Sequence, residues 1–564
     1  MSWTEIPTGL IFCLGGVLAL LLPQVPRKLL LLALPLLAAW QLLQVPDGAT
    51  IEAPLFGVTL QLLRLDGLSA VWAFAFCAAA LIGAVYQAHV RNRYEDAALA
   101  IYAGAAIGAV LAGDLLTLFV WWEITAVTSV VLVVAPGTET AIRAGMRYLL
   151  VQIASGVLLL GGIVVHWRLG DGIAFDALDA STTAGLLILL AFGIKAAFPL
   201  LGAWLSDAYP AANPTGTVVL SAFTTKMAIY ALARAFPGTE VLIVLGAVMV
   251  LASLAYAIME DDIRRMLAHS LNSQLGFMVV AVGIGTELAI SAAAAQAVAH
   301  ILYKGLMFMV AGAVIVHTGT GQASALGGLA RRMPLTFAFC IAGVLAMSSP
   351  LFAGYAGKAL VTSAADKVHW LLWLVLMAGA AGAFAVPGLK LVHGLFLAKD
   401  ATPVAEGRPV PANMPVAMVL ATLASLAIGL FPDRFYALMP YPVSYDPNTV
   451  SHLLSTAVML AIGAIFYAML RKTVYWRGAD LRPLPESDWF YRHGLQDIWR
   501  QVQDWAAETS GALTGGLKRW VLAIIGTAGR LGGPAGLLGK TVTPGAGVFW
   551  LTAMLGLYLL IFLA

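Results

Sequence analysis

The sequence predicts an all-α, polytopic membrane protein, and three observations carry that expectation. The 564 residues are 61% hydrophobic and 11% charged, with a mean hydropathy of +0.89. A soluble chain of this size could not hide that much apolar surface. Apolar runs of the roughly 20 residues that a spanning helix needs recur almost end to end, about sixteen in all. Lys and Arg then fall at alternate junctions between the runs, as the inside-positive bias of membrane proteins requires.

The runs lie at 6–23, 27–44, 67–89, 95–113, 114–134, 141–167, 183–207, 214–236, 239–258, 265–285, 289–316, 335–362, 370–397, 411–431, 451–471 and 545–563. Arg27 and Lys28 follow the first run, Arg91 and Arg93 the third, and Arg143 and Arg147 the fifth. Arg264 and Arg265 follow the ninth, Arg331 and Arg332 the eleventh, and Arg471, Lys472 and Arg477 the fifteenth. All are odd exits. One topology fits them, with both termini outside and the odd exits in the cytoplasm of a bacterial-type inner membrane. Arg168 and Arg434 are minor exceptions. The start, MSWTE, lacks the basic region of a signal peptide, so the first run is expected to be a retained helix.

Two stretches are not simple spans. Residues 50–66 carry β-branched residues and turn signals, which predict a short extracytoplasmic hairpin. Residues 486–531 set Trp489, Phe490, Ile498, Val502 and Trp505 against Arg492, Asp497, Arg500 and Asp504. That pattern predicts a lateral amphipathic helix on the cytoplasmic side. The expected organisation is N-terminal helices and hairpin (1–94), two halves (95–236 and 237–398), peripheral helices (399–485), and the lateral helix with a final span (486–564).

Several function classes fall away. The net charge of +3 comes with no basic run of the kind nucleic acid requires. Cys13, Cys77 and Cys340 are scattered through apolar helices without metal or redox spacing, so no metal or cofactor is expected. The Gly-rich TGTGQASALGG (318–328) follows no strand and reads as a loop. The 260–265 charge cluster reads as a solvated cytoplasmic turn that anchors rather than catalyses.

Charge stranded inside the runs carries the functional reading. At mid-bilayer a charged side chain costs roughly 2.5–3.5 kcal/mol on insertion scales, and retained ones mark ion or proton paths. Glu123 has long apolar flanks on both sides, and a lysine nearby would preserve its charge. Lys195 is flanked by Gly193 and Pro199. Pro199 clashes with the carbonyl four residues back, Lys195's own, so a broken helix is expected there. Lys358 follows Pro350, Gly354 and Gly357, which predict a second break. The two interrupted runs are the seventh and twelfth, five apart, and so cross in opposite directions. This is the pattern of two inverted five-helix repeats, runs four to eight and nine to thirteen. Lys226 lies in a third apolar run. His300 and Lys304 are four apart on one helix face and can together relay protons near neutral pH. His269, Lys390 and His393 either extend this line or sit near helix ends.

These segments resemble the antiporter-like subunits shared by respiratory complex I, membrane-bound hydrogenases and Mrp-type multisubunit cation/proton antiporters. The resemblance rests on GDLLTLFVWWE (113–123), IKAAFPLLGAWL (194–205), TTKMAIYALAR (224–234), DDIRRMLAHSLNSQLGFM (261–278), AHILYKGLMFMVAG (299–312) and the run from Arg331 to Lys358. The form around Asp114, the KAAFPL run and Lys358 look most like the D-type component of the Mrp systems. By resemblance, Glu123 and Lys195 are a switching pair, Lys226 the connecting lysine, His300 and Lys304 the second-half relay, and Lys358 the terminal lysine toward the outside. The family often has histidine where Ala203 stands and tyrosine where His269 stands. The tail, with DWFY at 488–491, looks more like complex I's largest antiporter-like subunit or a hydrogenase. The resemblance implies proton translocation, with Na+ as the expected exchanged ion and other integral membrane subunits as partners. A proton-pumping subunit of a redox-driven complex is the alternative. A free-standing solute carrier and a structural scaffold are the rivals from other classes.

Overall fold

The structure, a computed structural model, describes residues 3–55, 57–398 and 407–473. The chain divides into Met1–Leu484 and Pro485–Ala564, and the described residues belong to the first unit. The expected lateral helix and the span at 545–563 lie outside them.

Helices α1 (Thr8–Leu21) and α2 (Gln24–Leu42) lead into a hairpin, β1 (Thr50–Leu55) and β2 (Val58–Arg64). The strands pair antiparallel, Thr50 opposite Arg64 and Leu55 opposite Val58, as the sequence predicts. Then follow α3 (Gly67–Tyr86), α4 (Arg93–Leu111), α5 (Leu115–Val134), α6 (Glu139–Arg168), α7 (Thr183–Lys195), α8 (Ala203–Ala211), α9 (Pro214–Ala222) and α10 (Thr224–Ala235). The second stretch holds α11 (Val241–Met259), α12 (Ile263–Ile284), α13 (Glu287–Thr318), α14 (Pro334–Ser348), α15 (Ala353–Asp366) and α16 (Trp370–Ala383). Helix α16 continues as two π-helical turns, Phe384–Lys390 and His393–Leu397. Helices α17 (Asn413–Leu430), α18 (Pro432–Tyr436) and α19 (Val450–Leu470) close the described chain.

Among the described residues, thirteen helical stretches are long and apolar enough to cross a membrane, and Thr8–Leu21 and Thr183–Lys195 are shorter apolar helices. Each expected run within the described residues is helical. Three of them are interrupted: 183–207 between α7 and α8, 335–362 between α14 and α15, and 214–236 at Phe223. Only the first two are expected from sequence.

Helix starts follow the side chains that can satisfy free backbone N–H groups. Asp66, Asn92, Asp114, Thr138, Thr182, Asp262 and Thr286 each accept such a bond. Gly285 ends α12 in the left-handed region at φ 71°, with the Gly238 backbone so close that a Cβ would meet its nitrogen at 2.1 Å. Helices α4, α9, α10, α12 and α13 are buried along nearly their whole length. Peripheral helices keep apolar stripes turned outward, such as Leu454, Val458, Ile462 and Ile465 on α19, as a lipid-facing helix requires.

Two loops are clasped alike. Asp114, which caps α5, bridges antiparallel to Ala174 after α6; Asp262, which caps α12, bridges antiparallel to Gln322 after α13. The spacing along the chain is the same in both. The 260–265 cluster is therefore not a solvated turn. Asp261 binds the backbone N–H and hydroxyl of Ser324 at 2.8 and 2.7 Å, and Asp262 caps α12. Glu260 sits 3.2 Å from Arg265 and 3.6 Å from His269 Nε2.

Candidate proton path

Four of the five buried lysines among the described residues stand at helix interruptions or beside buried polar side chains, and each has its own surroundings. Pro199 ends α7 as expected, with Lys195 as its last residue. Ala197 and Leu200 in the break take positive φ, 59° and 70°. Trp204 Nε1 donates to the Ile194 carbonyl at 2.9 Å, replacing a bond the helix has lost. Lys195 is fully buried. Its Nζ donates to the Trp122 carbonyl at 2.6 Å and Thr125 Oγ1 at 2.9 Å, and lies 4.4 Å from the Trp122 ring.

Glu123 is the next residue on α5, yet no Glu123–Lys195 salt bridge forms. Glu123 Oε1 has no hydrogen-bond partner. The carboxylate lies against Gly156 of α6, where a Cβ would stand 1.7 Å from Oε1. Trp122 is fixed in turn by its own Nε1 donating to Ser155 Oγ at 3.0 Å. The lysine thus bonds to the turn of α5 that carries the acid, without pairing with it.

Lys226 opens α10 just after the Phe223 interruption. It is fully buried, and its Nζ donates to the Ser221 carbonyl at 2.5 Å and Thr225 Oγ1 at 3.3 Å. Trp72 Nε1 donates to the Lys226 carbonyl at 3.1 Å, and the Thr224 N–H donates to Tyr102 Oη at 3.0 Å. Aromatic side chains from α3 and α4 therefore serve the backbone at this break.

Lys304 and His300 share a face of α13. Lys304 Nζ donates to Ser270 Oγ of α12 at 2.6 Å. Both ring nitrogens of His300 are buried without a partner, as are Gln274 Nε2 and Gln296 Oε1. Gln296 donates to Tyr303 Oη at 3.2 Å, and Tyr303 donates to Gln274 Oε1 at 3.3 Å. Buried polar atoms normally find partners, often ordered water. Four orphaned atoms in one neighbourhood mark a place suited to water and to a moving proton.

Lys358 lies on the second turn of α15, after the break that contains Pro350 and the positive-φ residue Leu351 (φ 77°). Its Nζ reaches back to the Met347 carbonyl at 2.8 Å and Ser348 Oγ at 3.4 Å, and sits 5.8 Å from the Tyr303 ring. Tyr303 thus adjoins both His300 and Lys358.

The other candidates fall elsewhere. Asp114 is saturated by Thr117 N–H at 2.7 Å, Thr117 Oγ1 at 2.6 Å and Gln61 N–H at 2.7 Å, so it joins the hairpin to α5 as a cap. Lys390 is buried at the end of a π turn and donates to the Ile258 and Glu260 carbonyls at 2.8 and 3.3 Å. Glu260 also meets His269, whose ring stacks on Tyr256 at 5.4 Å. His269 and Lys390 thus gather at the Glu260 end. His393 faces Tyr467 of α19 at 6.2 Å. Ser270, Gln274, Gln296 and Tyr303 do not stand out in the sequence. Their i,i+4 spacings, Ser270 to Gln274 and Gln296 to His300, are the signal it offers.

Known proteins resemble this chain in sequence and in fold. The family described as NADH:quinone oxidoreductase/Mrp antiporter, transmembrane, matches residues 112–384. An uncharacterized protein of Mycobacterium tuberculosis is 30% identical over 67% of the chain and 66% of its own length, so the chain spans about two thirds of that relative. Hydrogenase-4 component B of Escherichia coli is 27% identical over 82% of the chain and 77% of its own length. Among solved structures, a chain of the Mrp complex from Dietzia sp. matches with TM-score 0.74 and 23% identity, over 93% of this chain and 62% of that one. A chain of the membrane-bound sulfane sulfur reductase, an archaeal respiratory membrane complex, matches with TM-score 0.74 and 23% identity, over 92% of this chain and 99% of that one. The two structures share the fold, and the family match places the segment that carries Glu123, Lys195, Lys226, His300, Lys304 and Lys358 among the transmembrane parts of NADH:quinone oxidoreductases and Mrp antiporters.

Proposed function

We propose that this chain carries protons across the membrane as one integral subunit of a larger assembly, along Glu123, Lys195, Lys226, His300, Lys304 and Lys358. The observation that supports it most is the partly unsatisfied polar cluster between Lys304 and Lys358. Uncompensated buried polarity is costly, and membrane proteins keep it where ions or protons move. The cycle we infer is electrostatic. In the described state Lys195 rests on the Trp122 carbonyl, away from Glu123. A proton arriving near Lys226 or Lys304 repels it; a proton leaving lets it approach Glu123. At an effective dielectric constant of 20, an acid and an amine brought to 4 Å attract by about 4 kcal/mol, so the approach of Lys195 to Glu123 is a step worth controlling.

The same proposal includes two inverted five-helix repeats. It is supported by the paired breaks at α7/α8 and α14/α15 and by the paired clasps at Asp114 and Asp262. Counted equally from the two aspartates, Gly156 corresponds to Lys304. The first half would then place its carboxylate against the position where the second half has a lysine.

The finer reading is a D-type component of a monovalent cation (Na+)/H+ antiporter in a bacterial inner membrane, with odd exits in the cytoplasm. Everted vesicles from an antiporter-deficient host, expressing the neighbouring gene cluster, test it. Na+-dependent dequenching of a pH dye, lost in Glu123→Ala and Lys195→Ala at unchanged expression, is expected. Wild-type rates in both variants would overturn the path. A second reading, a proton-pumping subunit of a redox-driven complex, is favoured by the long overlap with hydrogenase-4 component B. An assembled cluster that pumps protons on addition of an electron donor, without response to Na+, would select it.

A further inference from the structure

A cavity of about 110 Å³ opens beside Lys358, between α15, α16 and α19. A water occupies about 10–15 Å³ by this kind of measure, so several waters, or a partly hydrated ion, fit. Its floor is the buried Lys358 amine, and its rim is the exposed carboxylate of Asp366, two turns further along the same helix. Thr362 lies midway between them, on the same helix face. Across the cavity α19 contributes His452 and Thr456. The facing wall from α16 is apolar, Trp373 and Met377 among it.

This lining has the chemistry of a hard monovalent cation site, oxygen donors with a single carboxylate. We propose that the cavity binds one monovalent cation, such as Na+, in competition with the proton on Lys358. The charges set the stoichiometry. With Lys358 protonated, Asp366 and the ammonium balance, and a further cation meets a like charge in a medium where repulsion is weakly screened. With Lys358 neutral, the cavity carries the one negative charge of Asp366, and a cation restores balance while the hydroxyls replace part of its water shell. Proton and cation then exchange one for one. The other titratable groups near Lys358 are His300, Tyr303 and Lys304 of α13, Tyr355 of α15 and His452 of α19; α16 offers none to the cavity. The inference rests on Lys358 as a proton carrier, but its test does not require transport.

Ala359 lines the cavity next to Lys358 and supplies no ligand atom. The full chain with Ala359→Cys, in membranes with its neighbouring subunits, is labelled by a membrane-impermeant methanethiosulfonate reagent, and wild type gives the background of its own three cysteines. At alkaline pH, Na+ in place of choline is expected to slow labelling at least fivefold, with little protection in acid. Adding Asp366→Asn should remove the protection. Ala364→Cys, buried and outside the cavity lining, should not be labelled. Labelling independent of Na+ at every pH, or protection that persists in Asp366→Asn, overturns the proposal. If protection is absent while Lys358→Ala still abolishes proton transport, the cation site falls and the proton path stands; if Lys358→Ala transports protons normally, the path falls.

Discussion

The two broken helices use the same device differently. In α7/α8 the lysine stands before the break and reaches across to another helix, at the Trp122 carbonyl. The freed carbonyl of its own helix, at Ile194, is served by Trp204. In α14/α15 the lysine stands after the break and folds back to the Met347 carbonyl, so it caps the helix it interrupts. Lys195 is therefore free to change partners without disturbing its break. Lys358 is not: moving its amine away removes a donor from the break itself.

That difference orders the following expectations. The largest effect should come from Lys195→Ala and Lys358→Ala, each reducing proton transport in vesicles at least tenfold, toward background. The comparison breaks if thermal unfolding shows Lys195→Ala to be the less stable of the two. Lys358→Ala should be the more destabilised, because it leaves the end of α14 uncapped, at about 1–3 kcal/mol for an unserved buried carbonyl. Next comes Gly156→Ala. Its Cβ would occupy the Glu123 carboxylate's place, so transport should fall several-fold, and adding Glu123→Gln should produce little further loss. If the double variant loses much more than Gly156→Ala alone, the contact is not what seats the acid.

Smaller still are Leu200→Gly and Leu351→Gly. Both residues are exposed and take positive φ, where an L side chain costs roughly 1–2 kcal/mol. Glycine relieves that and loses backbone entropy, so a net gain below about 1 kcal/mol is expected, read as a small rise in melting temperature. The least effect concerns Asp66 at the start of α3. Burial alone would raise its carboxyl, but the Arg234 guanidinium at 2.7 Å and the Ser69 N–H hold it below the usual range. Its stabilisation is present above the unfolded-state value near 3.9 and is lost as pH falls through the lower folded value. Asp66→Asn should flatten the stability profile in that acid window alone.

What the sequence makes legible here are features written in single residues. Proline forces the breaks near Lys195 and Lys358, Asp and Thr mark helix starts, and β-branched residues around a Gly mark the hairpin. The break at Phe223 has no proline or glycine within it. Tyr102 and Trp72 from other helices, and Lys226 from just past the break, serve the backbone there, and such tertiary support has no local signature. The Gln274 and Gln296 amides are hidden for a related reason. One amide in an apolar helix is ordinary until the fold sets another opposite it. The 260–265 cluster reads as solvated because its partners, Ser324 and His269, are distant or hidden in sequence.

The two π turns of α16 have a further consequence. A π turn fits more residues into each turn than an α-helix does, so the stretch ending at Lys390 holds spare chain between fixed ends. Slack of this kind lets a segment advance or retreat by one residue while its anchors stay still. Lys390 grips the Ile258 and Glu260 carbonyls at the far end of that stretch. Such a slip would swing its amine away from Glu260, and the helix would act there as a ratchet rather than a strut.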